Sequence, residues 1–215
     1  MLYYVCVSTT LFFDLEVQMS DEPKFTRLLD GLMQRRTVVL EGKINAEQIN
    51  NLLLRLLHLQ LESSEPITLL IDSGGGSVSD ALRLCDVMTT VLHAPVNGVV
   101  VGMCGSAATF VLLHCNTRSG TIHSRYVIHS GTKHNLSLPI NGSVVKHLEQ
   151  LLAETKRVET TITSMYMRQL NKTQAEVEEL IGRGDQTFDA VMSATEAQEI
   201  GLIEAILDAK LTIFS

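Results

Sequence analysis

One serine of this chain lies where a nucleophile could be presented. Ser106 follows a short apolar run and Gly105, and the small residues Ala107 and Ala108 come after it. A hydroxyl at such a strand-to-helix turn lies at a helix N-terminus, where the dipole and the unpaired N–H groups favour negative charge. Two interpretations fit this pattern, a nucleophile for acyl transfer and a plain helix N-cap. The Gly-x-Ser-x-Gly elbow of lipases does not surround Ser106, so that motif lends no support.

A serine nucleophile also needs a base, a group that orients the base and donors for the developing oxyanion. His129 ends a short apolar run and is one of seven histidines, whereas Asp189 is one of 24 acidic residues. Each taken alone also fits a structural role, as a packed histidine or as a solvated surface acid. Together with Ser106 they supply the residue types of a catalytic triad.

Three consecutive glycines, Gly74 to Gly76, follow another apolar run and open a predicted helix. The backbone N–H groups of such a segment can bind an anion. The segment has neither the Gly-Lys-Ser/Thr ending of a Walker A loop nor GxGxxG spacing. An oxyanion or ligand site and a plain tight turn are therefore the two interpretations that remain.

Alternating strands and helices are predicted around these residues. Apolar and β-prone runs predict strands over residues 38–40, 67–71, 96–101 and 126–128, with turns over 72–77, 102–106 and 117–120. Helical spacing predicts helices from an Asn45–Gln48 capping box to about residue 61, over 78–91 and over 107–114. This order indicates an α/β unit with a largely parallel sheet. Right-handed crossovers bring both glycine-containing turns to its C-terminal edge, where open α/β sheets hold their sites.

A long amphipathic helix is predicted after this unit. Apolar residues keep helical spacing from Leu148 to Met165, over roughly five turns. Such a stripe needs a partner, because isolated helices gain little stability from propensity alone, and a helix of another subunit is one such partner. Capping boxes at residues 173–176 and 193–196 predict two short helices, and Gly201 suits a helix stop.

The composition indicates a globular protein and argues against several other classes. The 215 residues are enough for a sizeable core, and 45% of them are hydrophobic. The net charge is −7 and Lys and Arg form no long run, so nucleic acid is not an expected partner. No apolar run approaches the roughly 20 residues of a membrane span. The four cysteines form no CxxC pair and no metal motif, which favours free thiols in a reducing compartment.

The N-terminal stretch is apolar over residues 2–13, but it lacks the preceding Lys or Arg of a secretory signal. Two other interpretations stay open: an additional ordered strand, and a segment translated upstream of a natural start at Met19. The sequence from Met19 to Pro23 is typical of an exposed terminus and favours the second interpretation for residues 1–18.

Taken together, the segments of this chain resemble the Clp protease proteolytic subunit family over roughly residues 25–207. Residues 25–29 are similar to the family's Tyr-Ser-Arg-Leu-Leu opening. Four further segments are similar, in order and at compatible spacing, to the family's glycine turn, nucleophile, base and acid segments: Ile71-Asp-Ser-Gly-Gly-Gly-Ser-Val78, Gly102-Met-Cys-Gly-Ser-Ala-Ala108, Ser124-Arg-Tyr-Val-Ile-His129 and Asp189-Ala-Val-Met-Ser-Ala-Thr-Glu-Ala197.

The resemblance implies an α/β fold of the ClpP/crotonase type, with a largely parallel sheet, flanking helices and a protruding handle helix. It implies Ser106 as nucleophile, His129 as general base and Asp189 as orienting acid. The backbone N–H groups of Gly76 and Ala107 are the implied oxyanion donors. A peptidase domain over residues 25–207, with a handle at about 131–170, is expected between an N-terminal extension over 1–24 and a tail over 208–215.

The resemblance also implies an activity and partners. The activity is ATP-independent peptide hydrolysis by a serine endopeptidase inside a barrel of two stacked heptameric rings, a cytoplasmic tetradecamer. Degradation of folded proteins is expected to require an AAA+ Clp-type ATPase, since no nucleotide motif occurs in this sequence. No metal or organic cofactor, nucleic acid or membrane is implied.

Several residues depart from the family pattern. Gly74 stands in place of the usual proline, Asp72 in place of asparagine, and residues 130–131 in place of Gln-Pro, before a loop that is longer than usual. These departures motivate a second hypothesis, a catalytically weak or silent subunit that co-assembles with an active paralogue. A third is a crotonase-like acyl-CoA enzyme, which would use the same fold and paired oxyanion donors without needing the triad.

Overall fold

The computed structural model describes residues 29–129, 144–186 and 191–208 of the chain. Several predictions fall outside these ranges: the N-terminal extension over 1–24, the loop after His129, the acid Asp189 and the tail beyond residue 208. Within the described ranges, one mostly parallel sheet is flanked by helices. The predicted α/β fold class is therefore confirmed.

A sheet of seven strands forms the centre of the described structure. Its strands are β1 (Thr37–Ile44), β2 (Ile67–Gly76), β3 (Val96–Gly105), β4 (Thr117–Thr121), β5 (Arg125–Val127), β6 (Met192–Ser193) and β7 (Ala205–Leu207). Five strands lie side by side in the order β1-β2-β3-β4-β7, and all of these pairs are parallel. β5 pairs in parallel with the C-terminal end of β3, and β6 pairs antiparallel with β5.

Helices connect and extend these strands. They are α1 (residues 29–34), α2 (Ala46–Glu62), α3 (Val78–Thr90), α4 (Ala107–Leu113), α5 (Val144–Leu170), α6 (Gln174–Gln186) and α7 (Ala194–Glu199). α2, α3 and α4 each link two neighbouring parallel strands, and α3 contacts both α2 and α4. The C-terminal ends of β2 and β3 therefore lead into helices at one edge of the sheet, as the handedness of crossovers predicts.

The start of α2 shows how the local sequence sets a helix boundary. The side chain of Asn45 accepts a hydrogen bond from the Gln48 N–H at 2.9 Å, so Asn45 is the N-cap, as predicted. The Gln48 side chain does not complete the capping box, because its amide donates to the carbonyl of Glu41 on β1. The apolar stripe predicted for this helix is buried at Ile49, Leu52 and Leu56, whereas Leu57 of the same stripe is 36% exposed and Leu59, outside it, is buried.

Both strands that lead to the candidate site are longer than the sequence predicts. β2 continues through residues 72–76 and β3 through 102–105, which the sequence predicts as turns. The cause is pairing with neighbouring strands, since Ile44 pairs with Gly76 and Ser73 pairs with Cys104. A ladder uses only backbone groups, so glycines can extend it wherever a neighbouring strand supplies partners.

The prediction of a turn over residues 117–120 is wrong. These residues belong to β4, which lies between β3 and β7 and pairs in parallel with both. Thr117 pairs with Asn97 on one side, and Ser119 pairs with Ala205 on the other. The polar sequence of β4 has no β-like pattern of its own, so only its two neighbours determine its conformation.

Two further helix starts agree with the sequence. Ser193 and Glu196 form both halves of a capping box at the start of α7, and Thr173 and Glu176 exchange the equivalent bonds before α6. Hydrogen bonds from the hydroxyl and N–H of Thr173 hold the pKa of Glu176 below its usual value. Bonds from the N–H and hydroxyl of Ser193 do the same for the pKa of Glu196. The capping box at Ser193 fixes the chain directly after the segment that contains Asp189.

The long helix is present and exceeds the predicted range. α5 spans 27 residues, and its C-terminal part is buried through Ile162, Met165, Tyr166 and Leu170. Towards its N-terminal end, Val145, Leu148 and Leu152 are 67%, 41% and 56% exposed. The described residues of the same chain leave these apolar side chains uncovered. The sequence analysis predicts a partner, such as a helix of another subunit, for a stripe of this kind.

The thiols agree with the prediction from cysteine spacing. Cys85, Cys104 and Cys115 are free and buried, and Cys6 lies outside the described residues. Among the described helices, none has the length and apolar content needed to cross a membrane.

Candidate active site

The candidate site lies where β2 and β3 end side by side. Ser73 pairs with Cys104 in the ladder between these strands. The glycine segment 74–76 follows Ser73, and Gly105 and Ser106 follow Cys104. Parallel register therefore brings the glycine segment next to the candidate nucleophile, although the two are far apart in sequence.

Ser106 has a backbone conformation that is rare for a residue other than glycine, with φ 52° and ψ −126°. It occupies the N-cap position of α4, yet its side chain makes no capping hydrogen bond. Ser77 and Ser193, at the N-caps of α3 and α7, have extended backbones and do accept such bonds. The N-cap interpretation is therefore wrong for the Ser106 hydroxyl. Strained residues of this kind cost about 1–3 kcal/mol and cluster at functional sites.

Gly75 packs directly against the turn at Ser106. A Cβ at Gly75 would lie 2.6 Å from the Gly105 carbonyl oxygen, 2.7 Å from Ser106 Cβ and 2.9 Å from the Ala107 nitrogen. The φ of Gly75 is 95°, in the left-handed region. Only glycine meets both conditions without displacing its neighbours. The glycine segment and the turn at Ser106 thus form one packed unit.

A buried serine, to which the sequence analysis assigned no role, supports this unit. Ser73 is 1% exposed, and its Oγ donates to the Gly42 carbonyl at 2.6 Å. The same Oγ accepts the N–H of Gly75 at 3.1 Å. These two bonds hold the glycine segment to β1 where Gly74 stands in place of the family's proline. A small hydroxyl residue next to a glycine run was the signal that could have identified it.

Asp72 has a structural role that accounts for its departure from the family pattern. Its Oδ1 accepts the N–H of Met103 at 2.8 Å and so ties the end of β2 to the end of β3. A carboxylate oxygen and an amide oxygen are both acceptors for such a bond. Aspartate in place of asparagine therefore preserves this contact.

The structure brings Ser106 and His129 together. The Ser106 N–H donates to the carbonyl of Val127 at 2.8 Å, and Val127 is the last residue of β5. His129 follows two residues later, and both Ser106 and His129 line one cavity of about 730 Å³. This volume lies within the range of pockets that bind small ligands.

The end of β1 forms another wall of this cavity, which the sequence analysis did not anticipate. Residues 42–45 line it together with the glycine segment, and Lys43 pairs with Gly75 in the ladder. The signal available in the sequence was the position of β1 as the preceding parallel strand, because the C-terminal ends of neighbouring parallel strands meet at one edge.

The predicted oxyanion donors lie among the described residues, whereas the predicted acid does not. Gly76 ends β2 and lines the cavity, and Ala107 opens α4 directly after Ser106. Their N–H groups lie at the C-terminal edge of the sheet, as predicted. Their role as oxyanion donors stays a prediction. Asp189 lies outside the described residues, so the structure does not place it.

The thiol beside the site is not a competing nucleophile. Burial raises the pKa of Cys104 well above its usual value, so this thiol stays protonated and inert. Burial also raises the pKa of Cys115 to about 12. In the part of the chain that the structure describes, no group of His, Cys, Asp and Glu has an arrangement that could hold a metal ion.

Comparison with known proteins agrees with this geometry. A family model described as Clp protease matches residues 20–210. The chain is 30% identical over 188 residues to the ATP-dependent Clp protease proteolytic subunit 1 of Prochlorococcus marinus subsp. pastoris, covering 83% of this chain and 87% of that protein. It is 28% identical to the ATP-dependent Clp protease proteolytic subunit of Pleurastrum terricola, covering 88% and 92%. The identity to subunit 1 of Chlamydia pneumoniae is also 28%, over 82% and 88%.

Proposed function

The chain belongs to the Clp protease family, and on that premise we propose that it is a serine endopeptidase subunit. In this proposal Ser106 is the nucleophile, His129 the general base and Asp189 the acid that orients His129. The observation that carries it is the single cavity lined by Ser106 and His129. The strained backbone of Ser106 and a hydroxyl that makes no capping hydrogen bond support the same assignment.

The reaction follows from these positions. His129 removes the proton from Ser106 Oγ as that oxygen attacks the carbonyl carbon of a peptide bond. The carbonyl oxygen becomes negatively charged and accepts hydrogen bonds from the N–H groups of Gly76 and Ala107. His129 then gives the proton to the leaving amine, and water hydrolyses the acyl-serine through the same groups. Both donors belong to packed backbone, so little reorganisation accompanies the appearance of charge.

The pairing of β5 with β6 supports Asp189 as the acid. Tyr126 pairs with Met192 in this antiparallel ladder, and Arg125 pairs with Ser193. The chain directly after the segment that contains Asp189 is therefore held beside β5, the strand that ends two residues before His129.

Replacing Asp189 with Ala is expected to slow peptide hydrolysis without changing assembly, because His129 would lose the group that selects its tautomer and stabilises the imidazolium. The measurement is kcat/KM for a fluorogenic peptide, on protein first sized by gel filtration. Glu199→Ala, a change of another acid at the end of α7, is the control. A full rate in the Asp189 variant would refute the assignment of the acid.

The assembly and partners belong to the same proposal. The exposed apolar side chains of Val145, Leu148 and Leu152 on α5 support association with other subunits, as the handle of a two-ring tetradecamer requires. The relatives named above are proteolytic subunits of an ATP-dependent protease. We therefore propose an AAA+ Clp-type ATPase as the partner for folded substrates. The buried free thiols support a location in the cytoplasm.

A fluorophosphonate probe tests the proposed nucleophile directly. The probe reacts with a serine whose hydroxyl is activated by a neighbouring base, so the assembled wild type is expected to be labelled. Gel filtration before labelling establishes the assembly state, and mass spectrometry of the labelled peptide is expected to identify Ser106. An assembled particle that resists the probe would favour a catalytically silent subunit that co-assembles with an active paralogue.

A further inference from the structure

A pair of buried hydroxyl groups lies beneath the turn that carries Ser106. Thr109, on α4, is 0% exposed and Tyr166, on α5, is 1% exposed. Thr109 Oγ1 lies 2.6 Å from Tyr166 Oη and 2.6 Å from the carbonyl oxygen of Ser106. Buried polar groups are almost always hydrogen-bonded, because an unpaired one is costly. The two contacts form a continuous chain from α5 to the backbone of the proposed nucleophile.

The direction of this chain follows from the number of hydrogens. A threonine hydroxyl carries one hydrogen, and the carbonyl of Ser106 can only accept. Thr109 therefore donates to Ser106, and Tyr166 donates to Thr109. Burial raises the pKa of Tyr166 well above its usual value, so its hydroxyl keeps the proton that this arrangement requires.

The carbonyl at the end of the chain belongs to the same peptide group as the N–H of Ala107. A peptide group is planar and trans, so its C=O and N–H point in opposite directions and turn together. The Ser106 oxygen accepts from Thr109 Oγ1 at 2.6 Å and from the Thr109 N–H at 3.0 Å. These bonds therefore set the direction of the Ala107 N–H, which is one of the two proposed oxyanion donors.

The backbone of Ser106 needs such support. Its positive φ is unfavourable for a side chain with a Cβ and persists only where the surroundings hold it. The preceding peptide group is held by the bond from the Ser106 N–H to Val127. The following peptide group is held by Thr109, whose hydroxyl is in turn fixed by Tyr166.

We propose that Tyr166 and Thr109 form a positioning relay that aims and polarises the Ala107 N–H for the oxyanion. The proposal rests on the proposed peptidase function. Hydrogen bonds in series polarise one another, so a carbonyl that accepts a strong bond makes the N–H of its own peptide group a better donor. Both side chains act through the 106–107 peptide group and are positioning residues.

Two substitutions separate the relay from ordinary packing. Thr109→Val removes the hydroxyl at nearly constant shape and is expected to lower kcat per active site about 10- to 100-fold, below the loss of a whole oxyanion donor. Tyr166→Phe retains the ring, which packs edge-on against Phe110 at 5.7 Å, and is expected to lower kcat about 3- to 10-fold. KM is expected to change little in either variant. Thr109→Ser restores the hydroxyl and is expected to recover most of the rate.

Tyr126→Phe is the matched control. Tyr126 is also 0% exposed, and its hydroxyl lies 2.9 Å from Ser124 Oγ, away from the peptide group of the site. Tyr126→Phe and Tyr166→Phe each remove one buried hydroxyl, so both are expected to lower the melting temperature, while kcat per active site of Tyr126→Phe stays at the wild-type value. Active sites are counted by fluorophosphonate titration, so a smaller folded fraction does not imitate a slower site.

A second measurement does not depend on activity. Crystal structures of the wild type and of Thr109→Val are expected to show the 106–107 peptide group rotated in the variant. A wild-type orientation in that structure, or a wild-type kcat per titrated site in Thr109→Val, would overturn the relay. Failure of the wild type to react with the probe would refute the proposed peptidase function instead, and the crystal structures would still decide the relay.

Discussion

Replacing Ser106 with Ala is expected to abolish peptide hydrolysis and fluorophosphonate labelling while leaving the fold and the assembly intact. The hydroxyl makes no capping hydrogen bond, and alanine meets the same backbone constraint at φ 52° as serine does. The free energy of unfolding is therefore expected to change little, whereas the proposed reaction would lose its nucleophile. In a serine peptidase this loss costs on the order of 10⁶-fold in kcat.

The measurement combines hydrolysis of a fluorogenic peptide with gel filtration and circular dichroism of the same preparation. Ser79→Ala is the matched control, because Ser79 is an exposed residue of α3 and the chemical change is identical. Hydrolysis that persists in an assembled Ser106→Ala protein would remove Ser106 from the mechanism. It would direct attention to another nucleophile or to a contaminating peptidase.

Replacing Gly75 with Ala is expected to disable the site through geometry rather than chemistry. The added Cβ would lie 2.6 Å from the Gly105 carbonyl oxygen and 2.7 Å from Ser106 Cβ, so one of the two segments must move. The φ of 95° adds backbone strain for any side chain. Displacement of a reacting group by about 1 Å lowers rates by on the order of 10²-fold. We therefore expect the rate of fluorophosphonate labelling of the Gly75 variant to fall by at least this factor.

Two other glycine-to-alanine variants calibrate this result. Gly74→Ala is the local comparison, because its Cβ would meet no atom within 4 Å and its φ is not positive. The rate of fluorophosphonate labelling of this variant is expected to stay within a few fold of the wild type, because the added Cβ displaces no reacting group. Gly31→Ala, in α1, is the distant control with equally open space. Equal labelling of the Gly75 and Gly74 variants would contradict the packing of Gly75 against the turn at Ser106.

The fold class and the helices α2 to α7 could be predicted because their signals are local. The N-cap Asn45, the stripe from Ile49 to Leu56 and the capping box at Ser193 each depend on residues within a few positions of one another. Helical spacing and capping chemistry are visible in any stretch of sequence that contains them. The α/β order then restricts the topology, since right-handed crossovers place successive helices on one face of the sheet.

Strand limits depended on partners that the sequence does not display. Residues 117–121 form β4 because β3 and β7 provide bonding partners on both sides. In the same way Gly75 and Gly76 extend β2 because they pair with Lys43 and Ile44. A backbone ladder is indifferent to side-chain pattern, so these segments look like turns when they are examined alone.

By itself, the sequence determined the residue types that can do chemistry at the site and the order in which the chain supplies them. Motifs and family resemblance predict a triad of Ser106, His129 and Asp189 beside the glycine segment. Only the tertiary structure decided that Ser106 does not cap its helix, that it shares a cavity with His129, and that Thr109 and Tyr166 support its peptide group. The physical reason is that Ser106, His129 and Tyr166 lie on different elements of the chain, whose proximity exists only after the core has packed.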